Sequence, residues 1–175
     1  MGVANERSIA WGIAKTLSEN GAELAFSYQN YGFKKRLTPL MKSIKSDKSF
    51  ECDVSKDASD FNSIENMFEK ISKVWNEIDF VVHALAYSDK EELKGKYVNC
   101  SRENFLNSLD ISAFSFTRIA KSSFPLMSSK GGSLLTLSYL GAERTTPNYN
   151  VMGVAKSALE ASIKYLAMDL GKNKI

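Results

Sequence analysis

Hydrophobic residues along the chain follow two different spacings. Short continuous apolar runs predict buried strands at residues 24–28, 49–54, 80–86 and 134–138, and the third run is apolar on both faces, as a central parallel strand is. Elsewhere apolar residues recur at helical spacing, which predicts helices from Ser8 to Asn20, over residues 33–44, from Phe61 to Trp75, over residues 101–123 and up to Gly171. This alternation predicts an α/β protein with a doubly wound parallel sheet and helices on both faces.

Composition narrows the classes of protein to consider. With 175 residues, 43% hydrophobic and 25% charged, the chain is long enough for one domain with a sizeable core, so we expect a single domain over residues 1–175. The net charge of +3 is spread among mixed acidic and basic residues, which does not favour binding to nucleic acid.

The sequence also lacks the usual signs of a membrane or metal protein. No run of about 18 apolar residues occurs, and Glu6 stands where the myristoylation pattern requires serine or threonine. Two cysteines (Cys52 and Cys100) and one histidine (His83) do not make an ordinary zinc or iron site. We therefore expect a cytoplasmic protein with reduced thiols, no membrane contact and no metal.

Several polar residues fall where ligands of doubly wound sheets bind, beyond the carboxyl ends of the strands. These positions are Gln29, Asp53 with Val54, Ala86 and Tyr139. The amide of Gln29 suits the hydroxyls of an adenosine ribose, although a solvated turn glutamine explains it equally well. Asp53 either accepts from an adenine amino group or caps the next turn.

The loop from Gly2 to Ser8 leads into the first predicted helix. It does not contain the GxGxxG fingerprint of dinucleotide-binding proteins. A glycine loop with Ser8 as N-cap nevertheless presents amide N–H groups and a hydroxyl at a helix N-terminus, which suits a pyrophosphate. A plain helix cap explains the same residues equally well.

Tyr149 and Lys156 are seven residues apart in the last predicted helix. At about 100° per residue, both side chains leave one face of the helix about 10.5 Å apart along its axis. A phenol and an ammonium facing one cleft suit an acid and its electrostatic neighbour, whereas the spacing alone also fits two ordinary amphipathic residues. His83, inside an apolar strand, is predicted to be a packed core residue rather than a base.

Specific motifs cover nearly the whole chain. They are SYLGAER (138–144), PNYNVMG (147–153) and Ala155-Lys156, together with Gly2-Val3-Ala4, Ser8-Ile9-Ala10, Tyr28-Gln29-Asn30 and Cys52-Asp53-Val54. With these motifs the chain resembles bacterial NADH-dependent enoyl-acyl carrier protein reductases, a divergent branch of the short-chain dehydrogenase/reductase superfamily. Ordinary members of that superfamily place a lysine four residues after the tyrosine; this chain has Gly153 there and its lysine at Lys156.

The resemblance implies a Rossmann-like domain and a reaction of fatty-acid biosynthesis. A hydride passes from NADH to C3 of a trans-2-enoyl thioester carried by acyl carrier protein. Tyr149 then acts as the donor that stabilises the enolate, Lys156 holds the nicotinamide ribose, and Tyr139 orients the substrate.

The resemblance also assigns binding residues and partners. The residues that line the cofactor, besides Lys156, are Gly2, Ser8, Ile9, Gln29, Asp53, Val54 and Leu85. The residues that begin the substrate side are Ala86, Tyr87 and Ser88. A homotetramer is implied, built through the helix over residues 101–123 and the helix that contains Lys156; the apolar stripes that fit this role are Phe114 with Ile119 and Leu159 with Ile163.

The chain departs from the family pattern in two ways. Family members have a strand before the glycine loop, and after the lysine they have further strands and a mobile loop, so we expect these 175 residues to be a piece of the enzyme. Ala84 and Ala86 stand where serine and glycine are expected. Two other functions stay open, namely a carbonyl-reducing short-chain dehydrogenase and a nucleotide-binding fragment without turnover.

Overall fold

Strands and helices alternate through the computed structural model, which describes residues 1–55, 63–127 and 129–175. The strands are β1 (Ala25–Tyr28), β2 (Lys48–Glu51), β3 (Phe80–His83) and β4 (Ser133–Thr136). The helices are α1 (Ile9–Glu19), α2 (Tyr31–Ser43), α3 (Ser63–Ser72), α4 (Arg102–Leu109), α5 (Ser115–Met127) and α6 (Asn150–Leu170). Phe61, which the sequence assigns to the third helix, lies outside the described residues.

The described strands run parallel in two separate pairs. β1 pairs with β2, with Phe26 opposite Ser49, and β3 pairs with β4, with Val81 opposite Leu134. An apolar cavity of about 270 Å³, lined by residues of β1, β3, α1 and α3, lies where the two pairs face each other. Paired strands lie about 4.8 Å apart, and among the described strands β1 and β3 are not paired with each other. The predicted α/β fold with parallel strands is confirmed, although the described strands do not form one continuous sheet.

Two apolar clusters hold the strands against the helices. One surrounds β3 and includes Ile64, Ile119 and Met127, each with no exposed surface. The other joins α1, β1 and α2 and includes Phe26 and Leu37. Each such side chain contributes roughly 1.5–3 kcal/mol by leaving water. The carboxyl ends of β1 and β3 are therefore attached to rigid parts of the molecule.

The helix predicted over residues 101–123 is interrupted. A π turn, Asp110–Phe114, separates α4 from α5, and α5 continues to Met127. Ser112 in this turn is fully buried, and its hydroxyl accepts from the Tyr87 N–H at 3.0 Å. π turns often accompany functional positions, and here the turn presents a hydroxyl to the loop that leaves β3.

The apolar stripes proposed for subunit contact lie partly inside the chain. Ile119 and Leu159 have no exposed surface, because they pack against the strands and neighbouring helices. Phe114 and Ile163 keep 51% and 37% of their surface exposed. Ile119 and Leu159 therefore belong to the interior of the chain, whereas Phe114 and Ile163 are the members of the stripes that a further subunit can reach.

The described residues also bear on membranes, metals and redox state. None of the helices described is long and apolar enough to cross a membrane. Residues 1–55, 63–127 and 129–175 contain no group of three or more histidine, cysteine, aspartate or glutamate side chains suited to a metal ion. Cys52 and Cys100 are free thiols.

Candidate active site

Lys156 lies on α6 with its side chain directed at the end of β4. Only 5% of the residue is exposed, and its Nζ donates to the carbonyl of Leu137 at 2.8 Å. Burial lowers the pKa of this ammonium. An ammonium has three N–H donors, so this hydrogen bond fixes the group and leaves two donors for a ligand.

Tyr139 and Tyr149 pack against each other beside the same strand end. Their ring centroids are 4.7 Å apart with a tilt of 55° between the planes. Burial raises the pKa of the Tyr149 phenol, and the neighbouring Tyr139 raises it further. Tyr149 therefore stays protonated at neutral pH and is available as a hydrogen-bond donor.

Two glycines make room for the ring of Tyr149. A Cβ at Gly141 would lie 2.4 Å from Cδ1 of Tyr149, so the ring rests directly on the backbone of residue 141. A Cβ at Gly153 would lie 2.8 Å from the carbonyl oxygen of Gly141. Position 153 therefore has no space for the lysine that ordinary short-chain dehydrogenases carry there.

Tyr149 precedes α6 instead of lying within it. It is the N-cap residue, and the helix begins at Asn150, whose φ of +34° is in the left-handed region. The seven-residue spacing to Lys156 therefore starts outside the regular helix. Among residues 1–55, 63–127 and 129–175, no hydrogen bond or ring contact joins Lys156 to either tyrosine, so the lysine and the tyrosine pair share an edge of the fold without direct contact.

The glycine loop lies against the end of β3. Gly2 has a φ of +92°, and a Cβ there would lie 2.1 Å from the carbonyl oxygen of Ala84. The N–H of Ala84 in turn donates to the carbonyl of Met1 at 3.3 Å. The close approach permits only glycine at position 2, and it places the loop beside Leu85, which packs partly against the core.

Ser8 occupies the predicted N-cap position of α1 but does not cap with its side chain. Its hydroxyl donates to the carbonyl of Asn5 at 2.6 Å and makes no capping hydrogen bond to the first turn. Ile9, the first residue of α1, is 69% exposed. The N-terminus of this helix therefore presents uncapped amide donors, which is the arrangement that binds anions.

Gln29 and Asp53 meet although they are far apart in the chain. The Gln29 amide donates to Oδ2 of Asp53 at 3.0 Å, just beyond the paired ends of β1 and β2. The other carboxylate oxygen accepts from the N–H of Ser55 at 3.0 Å. Val54 beside them is buried. Asp53 therefore caps its own turn, and its acceptance from an adenine amino group stays a prediction.

The loop after β3 contains the predicted substrate residues. Ala86 and Tyr87 are exposed, and Ser88 is half-buried. Ser88 and the buried Asn104 bond to each other through their side chains, and Asn104 Oδ1 also accepts from the Asp89 N–H at 2.9 Å. The loop is thereby attached to α4.

Sequence reasoning missed the residues that hold this loop. Buried polar side chains follow one another at nearly four-residue spacing along α4, the π turn and the start of α5: Asn104, Ser108, Ser112 and Ser115. A polar stripe on the buried side of an otherwise apolar helix was the available signal, since buried polar groups require partners.

His83 is a core residue, as predicted. It has no exposed surface, and its ring nitrogens lie 2.8 Å from Thr136 Oγ1 and 2.9 Å from Ser115 Oγ. Burial, followed by the positive charges of the Met1 amino group and Lys156, lowers the pKa of His83 to about 3. The ring is therefore neutral and joins β3 to β4 and α5.

Known proteins resemble this chain over its whole length. The model of the family described as enoyl-(acyl carrier protein) reductase matches residues 2–175. Enoyl-[acyl-carrier-protein] reductase [NADH] 1 of Rhizobium meliloti is 52% identical over 175 residues, which are 100% of this chain and 62% of that protein. The FabI reductase of Rickettsia typhi is 50% identical over 174 residues, 99% of this chain and 65% of its own.

Solved structures agree with the sequence comparison. An enoyl-(acyl-carrier-protein) reductase from Anaplasma phagocytophilum, crystallised in complex with NAD, matches with a TM-score of 0.93 and 56% identity over 98% of this chain and 64% of that one. FabI from Candidatus Liberibacter asiaticus matches with a TM-score of 0.95 and 51% identity over 100% of this chain and 66% of that one. The chain thus spans somewhat less than two thirds of the curated relatives described above. Together with the family match over residues 2–175, these likenesses show that the chain belongs to the enoyl-(acyl carrier protein) reductase family.

Proposed function

We propose that the protein is an NADH-dependent enoyl-acyl carrier protein reductase that saturates the C2–C3 double bond of a trans-2-enoyl thioester. The observation that carries this proposal is the protonated phenol of Tyr149, which is seated on Gly141 and packed against Tyr139. The ammonium of Lys156 is held at the same strand end. The family match and the names of the relatives support the same reaction.

The residues of the chain fit a dinucleotide. The uncapped amides of α1 suit the pyrophosphate, and the pair Gln29 and Asp53 offers polar groups to the adenosine end. Lys156 keeps two N–H groups for the nicotinamide ribose. When bound, NADH supplies the hydride that adds to C3 of the substrate.

Tyr149 acts where negative charge develops. Addition of the hydride at C3 moves an electron pair onto the thioester oxygen, and the Tyr149 hydroxyl donates a hydrogen bond to that oxygen. The enolate then takes a proton from water at C2, which completes the saturation of the C2–C3 bond. The phenol donates without becoming ionised, because its pKa lies above the usual value. Tyr139 limits the freedom of the Tyr149 ring and, at the cleft edge, orients the thioester.

Replacing Tyr149 by phenylalanine tests its role. Removal of one such donor typically costs about 10²–10³ in kcat, so we expect Tyr149→Phe to lower NADH oxidation with crotonyl thioester by about that factor. Tyr165→Phe, at a tyrosine that is 69% exposed on α6, is the matched control and should keep the parent rate. Equal turnover in both variants contradicts the mechanism.

Replacing Lys156 tests how the cofactor is held. We expect Lys156→Ala to raise the KM for NADH and to lower kcat, because the ammonium both binds and contributes positive potential. The control is Lys42→Ala at an exposed position of α2. A variant that binds and oxidises NADH like the parent removes Lys156 from the site.

The preference for NADH over NADPH rests on Gln29 and on the residue that follows it. Asn30 takes the place where an arginine would pair with a 2′-phosphate, and its side chain instead accepts from the N–H of Phe33 to cap α2. We expect a clearly higher kcat/KM with NADH. Equal use of the two cofactors contradicts this part of the proposal.

A carbonyl-reducing short-chain dehydrogenase is the main competing enzyme class. Such an enzyme needs its lysine near position 153, where a Cβ would already lie 2.8 Å from the Gly141 carbonyl oxygen. A panel of ketones and enoyl thioesters separates the two functions, and faster reduction of a ketone favours the competitor.

The remaining alternative is a nucleotide-binding chain without turnover. Calorimetry on the 175-residue chain tests it directly: we expect NADH to bind. If this chain does not bind NADH but a longer product of the same gene oxidises NADH with crotonyl thioester, the reductase function belongs to the longer protein.

Acyl carrier protein and further copies of the chain are the proposed partners. The homotetramer uses the segment over residues 101–123, which comprises α4, the π turn and α5, together with α6. Large apolar side chains remain exposed on the π turn and α6: Phe114, Ile163 and Met168. Light scattering on the protein as expressed from its gene should give the mass of four chains. A monomeric mass contradicts this assembly.

A further inference from the structure

The loop of residues 86–100 is attached to the rest of the fold at three places. Tyr87 exchanges hydrogen bonds with Ser112 of the π turn. Ser88 and Asp89 bond to Asn104 of α4. The third attachment is Asn150, the first residue of α6, and unlike the other two it lies directly beside Tyr149.

The Asn150 side chain contacts three backbone carbonyl groups within residues 92–95 of this loop. Its Nδ2 lies 3.2 Å from the carbonyl oxygen of Glu92, 3.5 Å from that of Lys94 and 3.4 Å from that of Gly95. Two amide protons are shared among three acceptors. This one side chain therefore gathers the carbonyls of residues 92–95 around the N-terminus of α6.

Glu92 connects this contact to α4. Its carboxylate accepts from the N–H of Ser101 at 2.8 Å and from the Ser101 hydroxyl at 2.7 Å. These hydrogen bonds lower the pKa of Glu92, with the backbone N–H as the largest cause. The loop is thus held between the beginnings of α4 and α6, and Asn150 is the part of this arrangement that adjoins Tyr149.

The backbone of Asn150 is strained. Its φ of +34° departs from the right-handed conformation that the first residue of a helix normally adopts. Asparagine tolerates such a conformation better than other residues with a side chain, and strain of this kind persists only where surrounding contacts enforce it. The side chain of the same residue is bonded to the three carbonyls of the loop, and Asn150 directly follows Tyr149, the N-cap of α6.

We propose that Asn150 is a positioning residue that holds the substrate loop and the Tyr149 phenol in one fixed arrangement. The inference rests on the proposed function for its catalytic meaning, since the loop begins at Ala86, Tyr87 and Ser88 on the predicted substrate side. If Asn150 has this role, loosening the loop of residues 86–100 weakens binding of the thioester and leaves binding of NADH unchanged.

Two substitutions separate the side chain from the backbone. Asn150→Gly keeps the left-handed backbone accessible and removes the amide. Asn150→Asp keeps the shape and directs a carboxylate at three carbonyl oxygens, which repel it. Asn148→Gly is the matched control: Asn148 also has a positive φ of 58°, is exposed and, within the part of the chain that the structure describes, makes no hydrogen bond to the loop.

The experiment measures the loop and the reaction separately, on the protein as expressed from its gene. Trypsin cleavage after the exposed Lys94 and Lys96 reports the freedom of the loop. We expect both Asn150 variants to be cleaved there about ten-fold faster than the parent, the size expected for losing one net hydrogen bond. We expect the KM for crotonyl thioester to rise by a similar factor, with the KM for NADH unchanged and Asn148→Gly like the parent.

The outcomes distinguish this inference from the proposed function. Parent-like cleavage and parent-like KM values in both Asn150 variants overturn the positioning role and leave the reductase assignment intact. A parent that does not reduce crotonyl thioester overturns the proposed function, and the trypsin comparison still tests the loop attachment. Cleavage spread over the whole chain in both variants also overturns the inference, because Asn150 then supports the fold in general.

Discussion

A single methyl group at Gly141 is expected to displace the phenol of Tyr149. The new Cβ would lie 2.4 Å from Cδ1 and 2.8 Å from Cε1 of that ring. Nonbonded carbon atoms pack at about 3.5–4.0 Å, so the ring has to retreat by about 1 Å. The ring centroid of Tyr139 lies 4.7 Å from that of Tyr149, so Tyr139 restricts the directions in which the Tyr149 ring can move.

The displacement should affect the rate more than the fold. Misplacing a reacting group by about 1 Å costs about 10²-fold in rate, whereas overpacking of this kind costs about 1–3 kcal/mol of stability. We therefore expect Gly141→Ala to lower kcat with crotonyl thioester about 100-fold and to keep the protein folded. The KM for NADH should hardly change, because the methyl group faces the tyrosine and not Lys156.

The assay follows NADH absorbance at saturating substrate, with thermal unfolding measured in parallel. Gly12→Ala is the matched control: it adds the same methyl group to α1, where no atom lies within 4 Å of the new Cβ. A Gly141→Ala enzyme with the kcat of the parent and of Gly12→Ala refutes the reasoning, since the Tyr149 ring then does not depend on the space at residue 141.

Two further predictions concern stability and cofactor binding. The pKa of His83 is lowered to about 3 in the fold, against about 6.5 in the unfolded chain. Between these pH values the unfolded state therefore binds more protons than the folded state. As a result, the free energy of unfolding decreases as the pH falls below 6.5, by up to about 1.4 kcal/mol per pH unit. Chemical denaturation at several pH values checks this, and a His83→Gln variant with the same slope contradicts it. Gly2→Ala places a Cβ 2.1 Å from the Ala84 carbonyl oxygen at a φ of +92°. We therefore expect a loss of about 1–3 kcal/mol of stability and weaker NADH binding, measured by calorimetry. Parent-like stability and parent-like NADH binding contradict the close packing of the glycine loop against Ala84.

The order of strands and helices was predictable from the sequence because periodicity is a local property. Apolar runs identified all four described strands, and helical spacing identified the regions of the helices. The π turn at Asp110–Phe114 was not predicted, because it depends on contacts of Ser112 with a loop that is distant in sequence. The division of the described strands into two pairs was likewise not predicted, because strand pairing joins segments that are distant in sequence.

The sequence by itself determined which chemical groups are present: a tyrosine pair, a lysine three residues later than in ordinary dehydrogenases, and a glycine loop before the first helix. Only the tertiary structure decided how these groups are held. Gly141 supports Tyr149, Leu137 holds Lys156, and Asn150 attaches the loop of residues 92–95. The physical reason is that side-chain identity is written along the chain, whereas contact distances, burial and pKa shifts arise only when distant segments pack together.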